Sequence, residues 1–216
     1  MPPIKVTLYT IQGNIGAGKS EVIRKIQKEG HPAQTEPINE WKQLLDRKET
    51  ERGEDFELHL QTRICISITS RENDKWLVNG KNILFRERNL DSAIEVFIPT
   101  AVENKNIGKE GQKTLESLCE KLKELKELKT KEWEGKHNCE IEEKTIYVRT
   151  TPTECLRRIR ERGQSGDQYI TQKYIDQLHE KHEKWLGRKE GVIEVDGEKT
   201  MQKNKIVEEL LEKDRN

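Results

Sequence analysis

Apolar residues are scarce in this chain. Only 31% of its 216 positions are hydrophobic and 5% aromatic, and the mean hydropathy is −0.98. Net charge is missing as well: Lys plus Arg and Asp plus Glu number 40 each, so 37% of the chain is charged with the signs in balance. Low hydrophobicity points toward disorder, but disordered compositions usually carry a large net charge too. Four Trp, three Phe and several compact apolar runs point instead to a folded core. The balanced sign excludes a global pull on nucleic acid or anionic membrane. No run can cross a bilayer, which takes roughly 20 mostly apolar residues; the longest uncharged stretch, Val6–Gly18, is half polar or glycine. No basic region followed by an apolar one opens the chain, so a secretory signal is not expected, and a strand-like run from residue 4 leaves no room for a transit peptide. Cys65, Cys119, Cys139 and Cys155 form no CxxC pair and read as reduced thiols of a cytoplasmic protein. There is no internal repeat and no dividing linker, so residues 1–216 read as one domain.

Charge is densest between Glu103 and Lys144, where half the residues are charged, against about a third elsewhere. Within that stretch Leu115, Leu118, Leu122 and Leu125 recur at three- and four-residue steps. This is the apolar stripe of a long surface helix, too short in heptads for a coiled coil. The segment reads as a charged helical insertion over about 103–144, with a loop at Gly135–Asn138. Elsewhere, Ile4–Ile11, Pro32–Thr35, Asn82–Phe85, Lys144–Thr150 and Gly191–Val195 read as strands. Helical patterns fall between them: one after Gly18 with Val22, Ile23 and Ile26 on one side, Phe56–Arg71, one opening at Pro152, and Tyr174–Leu186. Strands alternating with helices predict an α/β fold whose parallel sheet is covered on both faces.

Gly13-Asn14-Ile15-Gly16-Ala17-Gly18-Lys19-Ser20 fits GxxxxGK[ST], directly after a strand and opening a helix. Glycines let the backbone approach phosphate oxygens, while successive N–H groups and the helix N-terminus hold the anion. Lys19 is placed to reach the β- and γ-phosphates and Ser20 to ligate Mg²⁺. Alone, the motif leaves a GTPase, an ATPase motor and a small-molecule kinase open. No NKxD motif supports a GTPase. The strand Ile83-Leu84-Phe85 runs into Arg86-Glu87-Arg88, where a motor ATPase would usually end in Asp. Glu36-Pro37 follows the second strand, with Trp41 one turn on. A carboxylate there lies where open α/β sheets place ligands and can take a proton from a substrate hydroxyl; standing alone, it would read as a solvated loop acid. Gln61, Ile64, Cys65 and Ile68 share one helix face, either a core stripe with a polar end or part of a binding site.

In these pieces the chain resembles the deoxyribonucleoside kinase family, the group of deoxycytidine, deoxyguanosine and mitochondrial-type thymidine kinases. The matching pieces are GNIGAGKS at 13–20, TEPINEW at 35–41, LQTRICIS at 60–67 and RERNLDSAIEVF at 86–97. They continue with IYVRTTPTECLRRIRERG at 146–163, YIDQLHEKHEKWL at 174–186 and VIEVDG at 192–197, all in family order. The resemblance implies a P-loop kinase fold, a five-stranded parallel sheet with an arginine-bearing lid at about 158–170. It implies transfer from ATP, with Mg²⁺, to the 5′-hydroxyl of a deoxynucleoside. By it, Glu36 is the base, Trp41 lines the sugar and base cleft, and Gln61 reads the base edge on a face shared with Ile64. Glu87 serves Mg²⁺, Arg88 the 5′-oxygen, and Phe97 stacks on the base. Arg158 and Arg162 close over the phosphoryl group, whereas Arg160 reads as a solvated residue. Asp167 holds the sugar 3′-hydroxyl, and Asp196-Gly197 belong to the loop around adenine. Ile68 and Ala93 replace a charged Arg/Asp pair of cytidine- and purine-preferring members, which implies a thymidine or broad pyrimidine preference. His179 and His182 match family histidines that bind no metal. A homodimer, without nucleic-acid or membrane partners, is the family's pattern.

The chain departs from that pattern at Asn89 (a Ser in the family), at Gln164 (a second lid arginine), at Asp167 (a longer acid) and at Arg63 (an aromatic). These departures and the long charged helix leave open a catalytically weakened nucleotide-binding protein that acts by interaction. A nucleoside monophosphate kinase also shares the loop and the lid arginines, but Glu36 would repel its acceptor phosphate.

Overall fold

The least charged stretch of the chain forms the middle of its sheet. In the computed structural model, which describes residues 2–47, 53, 55–71, 82–164 and 166–212, the strands are β1 (Ile4–Gln12), β2 (Ala33–Gln34), β3 (Ile83–Glu87), β4 (Cys139–Arg149) and β5 (Val192–Asp196). They pair in parallel in the order β2-β3-β1-β4-β5, the α/β architecture read from the sequence. The position of the expected lid at residue 165 lies outside the described residues. A central strand has no solvent face, so β1 tolerates no charge from Val6 onward.

The helices are α1 (Lys19–Lys28), α2 (Lys42–Leu45), α3 (Phe56–Ser70), α4 (Leu90–Ser92), α5 (Ile98–Glu103), α6 (Lys109–His137), α7 (Pro152–Arg162), α8 (Gln172–Leu186) and α9 (Thr200–Glu212). A π-helical turn over Ala93–Phe97 joins α4 to α5. One core packs Val22, Ile23 and Ile26 of α1, Ile159 of α7, Ile175 and Leu178 of α8 and Val207 and Leu210 of α9 against Tyr9, Ile11, Phe85, Ile146 and Val148. Each such side chain, fully buried, contributes about 1.5–3 kcal/mol. Thr151 caps α7 through its hydroxyl, which accepts from Glu154 N, and Pro152 occupies the first turn as the sequence predicts. His182 sits in the buried stripe of α8, its Nδ1 2.7 Å from Leu178 O. Burial, aided by the nearby cations, pushes its pKa down to about 3, so the ring stays neutral and Nδ1–H is the donor.

Three expectations fail in detail around α6. The expected loop at 135–138 is the last turn of α6, which ends at Asn138 in a left-handed cap. Trp133 holds that turn down, packing on Val6, Leu8 and Leu84 and stacking on His137 at 4.4 Å. The apolar stripe docks through Leu115, Cys119, Leu118 and Leu122, whereas Leu125 remains exposed. β4 starts at Cys139, five residues before the predicted start at Lys144. Its acidic beginning, Glu140 to Glu143, hid a strand that pairs with β1 from Ile4 onward. Glu143 meets Arg86 at 2.8 Å and Lys126 of α6 at 2.7 Å. Burial drives the Glu143 carboxyl up, but these two cations outweigh it and hold the pKa below the ordinary range.

Candidate active site

Because every strand runs the same way, the carboxyl ends of β1, β2 and β3 bring the phosphate loop, Glu36 and Glu87-Arg88 to one edge. The loop from Gly13 to Gly18 packs against α7. Gly16, at φ 78°, could not carry a side chain, since a Cβ would lie 2.5 Å from Cys155 O. Asn14 is buried; its Oδ1 accepts from Ile15 N and its Nδ2 donates to Ile175 O. Lys19 is buried too, with Nζ donating to Asn14 O at 2.8 Å. Burial first, and Arg88 second, lower the Lys19 pKa to about 8.

Beside the loop lies a carboxylate pair. Ser20 Oγ donates to Glu87 Oε1 at 3.1 Å, and Glu36 N donates to Glu87 Oε2 at 3.4 Å. Arg88 Nη1 meets Glu36 Oε1 at 3.3 Å, with both side chains nearly buried. Arg88 has φ 56°, a left-handed conformation that costs a large side chain roughly 1–3 kcal/mol. Its guanidinium carbon lies 4.5 Å from the Phe97 ring centre. The exposed hydroxyl of Ser20 and the buried carboxylate of Glu87 form a hard oxygen set of the kind Mg²⁺ prefers.

A cleft of about 1120 Å³ opens over these groups. Of the residues singled out in the sequence, Ile15, Gly16, Gly18, Lys19, Ser20, Glu36, Trp41, Gln61, Ile64, Glu87, Arg88, Phe97, Arg158, Arg162 and Asp167 line it. Gln61 is buried; its Nε2 donates to Glu57 at 2.8 Å, while its Oε1 has no partner among the described residues. Ile68 and Ala93 are not among the residues that line the cleft. Ile68 packs with Trp41 and Leu60, and Ala93 with Cys65 and Leu90, because each points between helices at its position. Gly13, Asn14 and Ala17 of the loop, and Asp196 and Gly197 at the end of β5, are not among the lining residues. Gly197 N donates to Arg149 O at 2.7 Å, and Asp196 Oδ1 accepts from Glu198 N at 2.9 Å.

The lid arginines divide their work. Arg158 donates to Ala17 O at 3.2 Å and Gly197 O at 3.0 Å, so it joins the phosphate loop to the β5 turn. Arg162 and Asp167 engage each other through two bonds of 2.8 Å, and Gln164 N adds a third to Asp167 at 3.0 Å. Both therefore line the cleft as a closed pair, where the sequence reading gave them to phosphoryl group and sugar separately. Arg160 is not a solvated bystander: its guanidinium binds Asp167 O and Ile170 O, each at 2.6 Å. Only the fold reveals this, because a side chain that reaches carbonyls leaves no mark in sequence spacing. The cleft also gains Tyr174 and a reciprocal amide pair, Asn104 and Gln177 (2.9 and 3.0 Å), which sequence reasoning passed over. Asn89 is buried at the start of α4, where it accepts from Gln12 Nε2 at 2.7 Å and donates to Asp91 at 2.8 Å.

Residues 9–214 match the deoxynucleoside kinase family. The chain is 26% identical over 212 residues to the deoxycytidine kinase of Mus musculus, covering 84% of this chain and 76% of that one. It is 28% identical over 199 residues to the probable deoxycytidine kinase of fowlpox virus (strain NVSL), covering 88% and 78%. A putative deoxynucleoside kinase of frog virus 3 (isolate Goorha) is 26% identical over 176 residues, covering 81% and 80%. With its parallel sheet and its phosphate loop at the head of the cleft, the chain belongs to the deoxynucleoside kinase family and is a kinase.

Proposed function

We propose that this kinase transfers the γ-phosphoryl group of ATP to the 5′-hydroxyl of a pyrimidine deoxynucleoside, with Mg²⁺ as cofactor. The observation that carries this reading is the meeting of Glu36, Glu87 and Arg88 beside Lys19, in a cleft that also holds the buried amide of Gln61. Glu36 takes the proton of the 5′-hydroxyl, and Arg88 steadies that oxygen and the carboxylate together. Ser20 and Glu87 would hold Mg²⁺, which when bound would supply positive charge against that of the transferring group. Lys19 and the loop N–H groups hold the β- and γ-phosphates, and Arg158 and Arg162 add positive charge at the lid. Asp196-Gly197 flank the adenine of the donor. Phe97 and Trp41 enclose the base, and Asp167, once released by Arg162, reaches the sugar.

A pyrimidine preference is supported by the relatives' own names. The Gln61 amide offers one donor and one free acceptor, which suits either cytosine or thymine according to its flip. The same reading takes the enzyme as one cytoplasmic domain without nucleic-acid or membrane partners. It also takes it as a homodimer through helices beside α3, where Ile66 is exposed. Asn89 has local structural employment between Gln12 and Asp91, which weakens one motive for a catalytically weakened protein.

A panel of the four deoxynucleosides and uridine with ATP and Mg²⁺ tests the reading. Thymidine and deoxycytidine are expected to exceed deoxyguanosine by about tenfold or more in kcat/KM, a difference of ~1.4 kcal/mol. A faster rate on deoxyguanosine than on thymidine would refute the pyrimidine preference, and no nucleoside-dependent ATP consumption would refute the acceptor class.

Lys19 supplies a second test. With its pKa near 8 in the free protein, part of the Lys19 population is neutral at about pH 8.5, and a bound triphosphate raises that pKa by adding negative charge. The complex then holds more protons than the free protein, so binding takes up protons and weakens as pH rises past 8. Calorimetry in two buffers of different ionisation enthalpy should give different heats. Equal heats, or unchanged uptake in Lys19→Met, would exclude Lys19 as the group that titrates.

A further inference from the structure

Glu36 and the Glu87-Arg88 pair must hold a fixed spacing, yet the sheet does little to fix it. β2 pairs with β3 through only two positions, Ala33 with Phe85 and Gln34 with Arg86. The ladder stops there, before Thr35 and Glu36, so the segment carrying the proposed base leaves the sheet without backbone partners on β3.

Besides the contacts of Glu36 with the Glu87 and Arg88 side chains, one side chain from the end of α3 spans the gap. Arg71, the cap residue at the end of α3, sends Nη1 to Thr35 O at 2.7 Å. Its Nη2 donates to Glu87 O at 2.6 Å and to Arg88 O at 2.7 Å. Its own carbonyl accepts from Gln34 Nε2 at 2.8 Å. The guanidinium thus binds the carbonyl preceding Glu36 and both carbonyls of the Glu87-Arg88 pair. It reaches them across the point where the ladder ends. It also meets the backbone of Arg88 where φ is 56°, a conformation that persists only when its surroundings hold it. A planar fork with five donors suits three carbonyls in one small region, whereas an ammonium is a point charge. At its other end α3 carries Gln61, so one rigid helix joins the amide proposed to read the base to the groups proposed to act on the hydroxyl.

The geometry points to Arg71 as a positioning residue that replaces the missing β2–β3 ladder and sets the distance between the proposed base and the Glu87-Arg88 pair. It does not line the cleft and touches no substrate; it acts through Glu36, Glu87 and Arg88. The inference rests on the kinase reading above.

The test is a steady-state comparison of Arg71→Ala and Arg71→Lys with the parent, varying nucleoside and ATP separately, with circular dichroism on each protein. Misplacing reacting groups by about 1 Å can cost 10²-fold, so Arg71→Ala should lose about 10²-fold in kcat. Arg71→Lys, which keeps the charge but not the fork, should lose about tenfold. KM for ATP should stay within about twofold in both, because the phosphate loop hangs from β1 and not from Arg71. Should Arg71→Ala fail to fold, Arg71→Lys decides. A kcat within about threefold of the parent in the folded variants overturns the inference. So does a parallel loss of kcat and ATP affinity, which marks general loosening, and so does failure of both variants to fold. A parent inactive on every deoxynucleoside instead fails the kinase reading itself and takes this inference with it.

Discussion

Glu36→Gln should lose roughly 10²- to 10⁴-fold in kcat, the range that a positioned general base contributes. Its affinity for ATP should stay close to that of the parent. The amide keeps the size and one acceptor oxygen, so the contact with Arg88 Nη1 survives in weakened form. What disappears is the capacity to take a proton. The separation of effects is built into the fold: Glu36 follows β2, whereas the phosphate loop follows β1, two strands away in the sheet order. Single-turnover rates with pyrimidine deoxynucleosides and binding of a non-hydrolysable ATP analogue check both halves. Turnover within tenfold of the parent would remove Glu36 as the base. Lost ATP binding would show that the substitution disturbs the loop instead.

Lys19→Ala should differ in kind, with triphosphate binding and turnover failing together. Its ammonium is buried, tied to Asn14 O and raised toward its charged form by Glu87 and Glu36 while burial and Arg88 oppose it. Loss of one preorganised donor facing developing charge costs roughly 10²- to 10³-fold in rate. Here the same donor also meets the ground-state phosphates, so KM for ATP rises as kcat falls. The variant is expected to fold at least as well as the parent, because removing a buried cation removes its desolvation cost. Unaltered ATP affinity alongside a normal melting temperature would contradict the role given to Lys19.

Local signals carried part of this architecture and long-range ones did not. The phosphate loop was legible because its glycines, lysine and serine sit at fixed offsets and its backbone makes the site. The apolar faces of α1 and α8 were legible because helical period maps directly onto burial. The start of β4 was not, since Glu140, Glu142 and Glu143 at a partly exposed strand read as polar surface until the register with β1 is seen. The last turn of α6 was hidden for a related reason: Trp133, not a periodic stripe, anchors it. At the site, Glu36, Glu87 and Arg88 were legible as types at strand ends. The reach of Arg160 and Arg71 was not, because carbonyl acceptors are the same at every residue, and the pairing of Arg162 with Asp167 depends on where the fold places Asp167 beyond α7. Ile68 and Ala93 show the converse: a position that matters in relatives can sit in packing here.

The contact between Gly16 and the backbone of α7 has a mechanical consequence. With Gly16 wedged on Cys155, and Arg158 fastened to Ala17 and Gly197, the start of α7 and the phosphate loop are joined as one piece. Beyond the far end of α7 the backbone is freer in kind, since Gly163 and Gly166 adopt φ of 55° and 89°. On the proposed mechanism Arg158 would keep its place as the lid closes, and the Arg162–Asp167 clasp would be the contact that closure has to open.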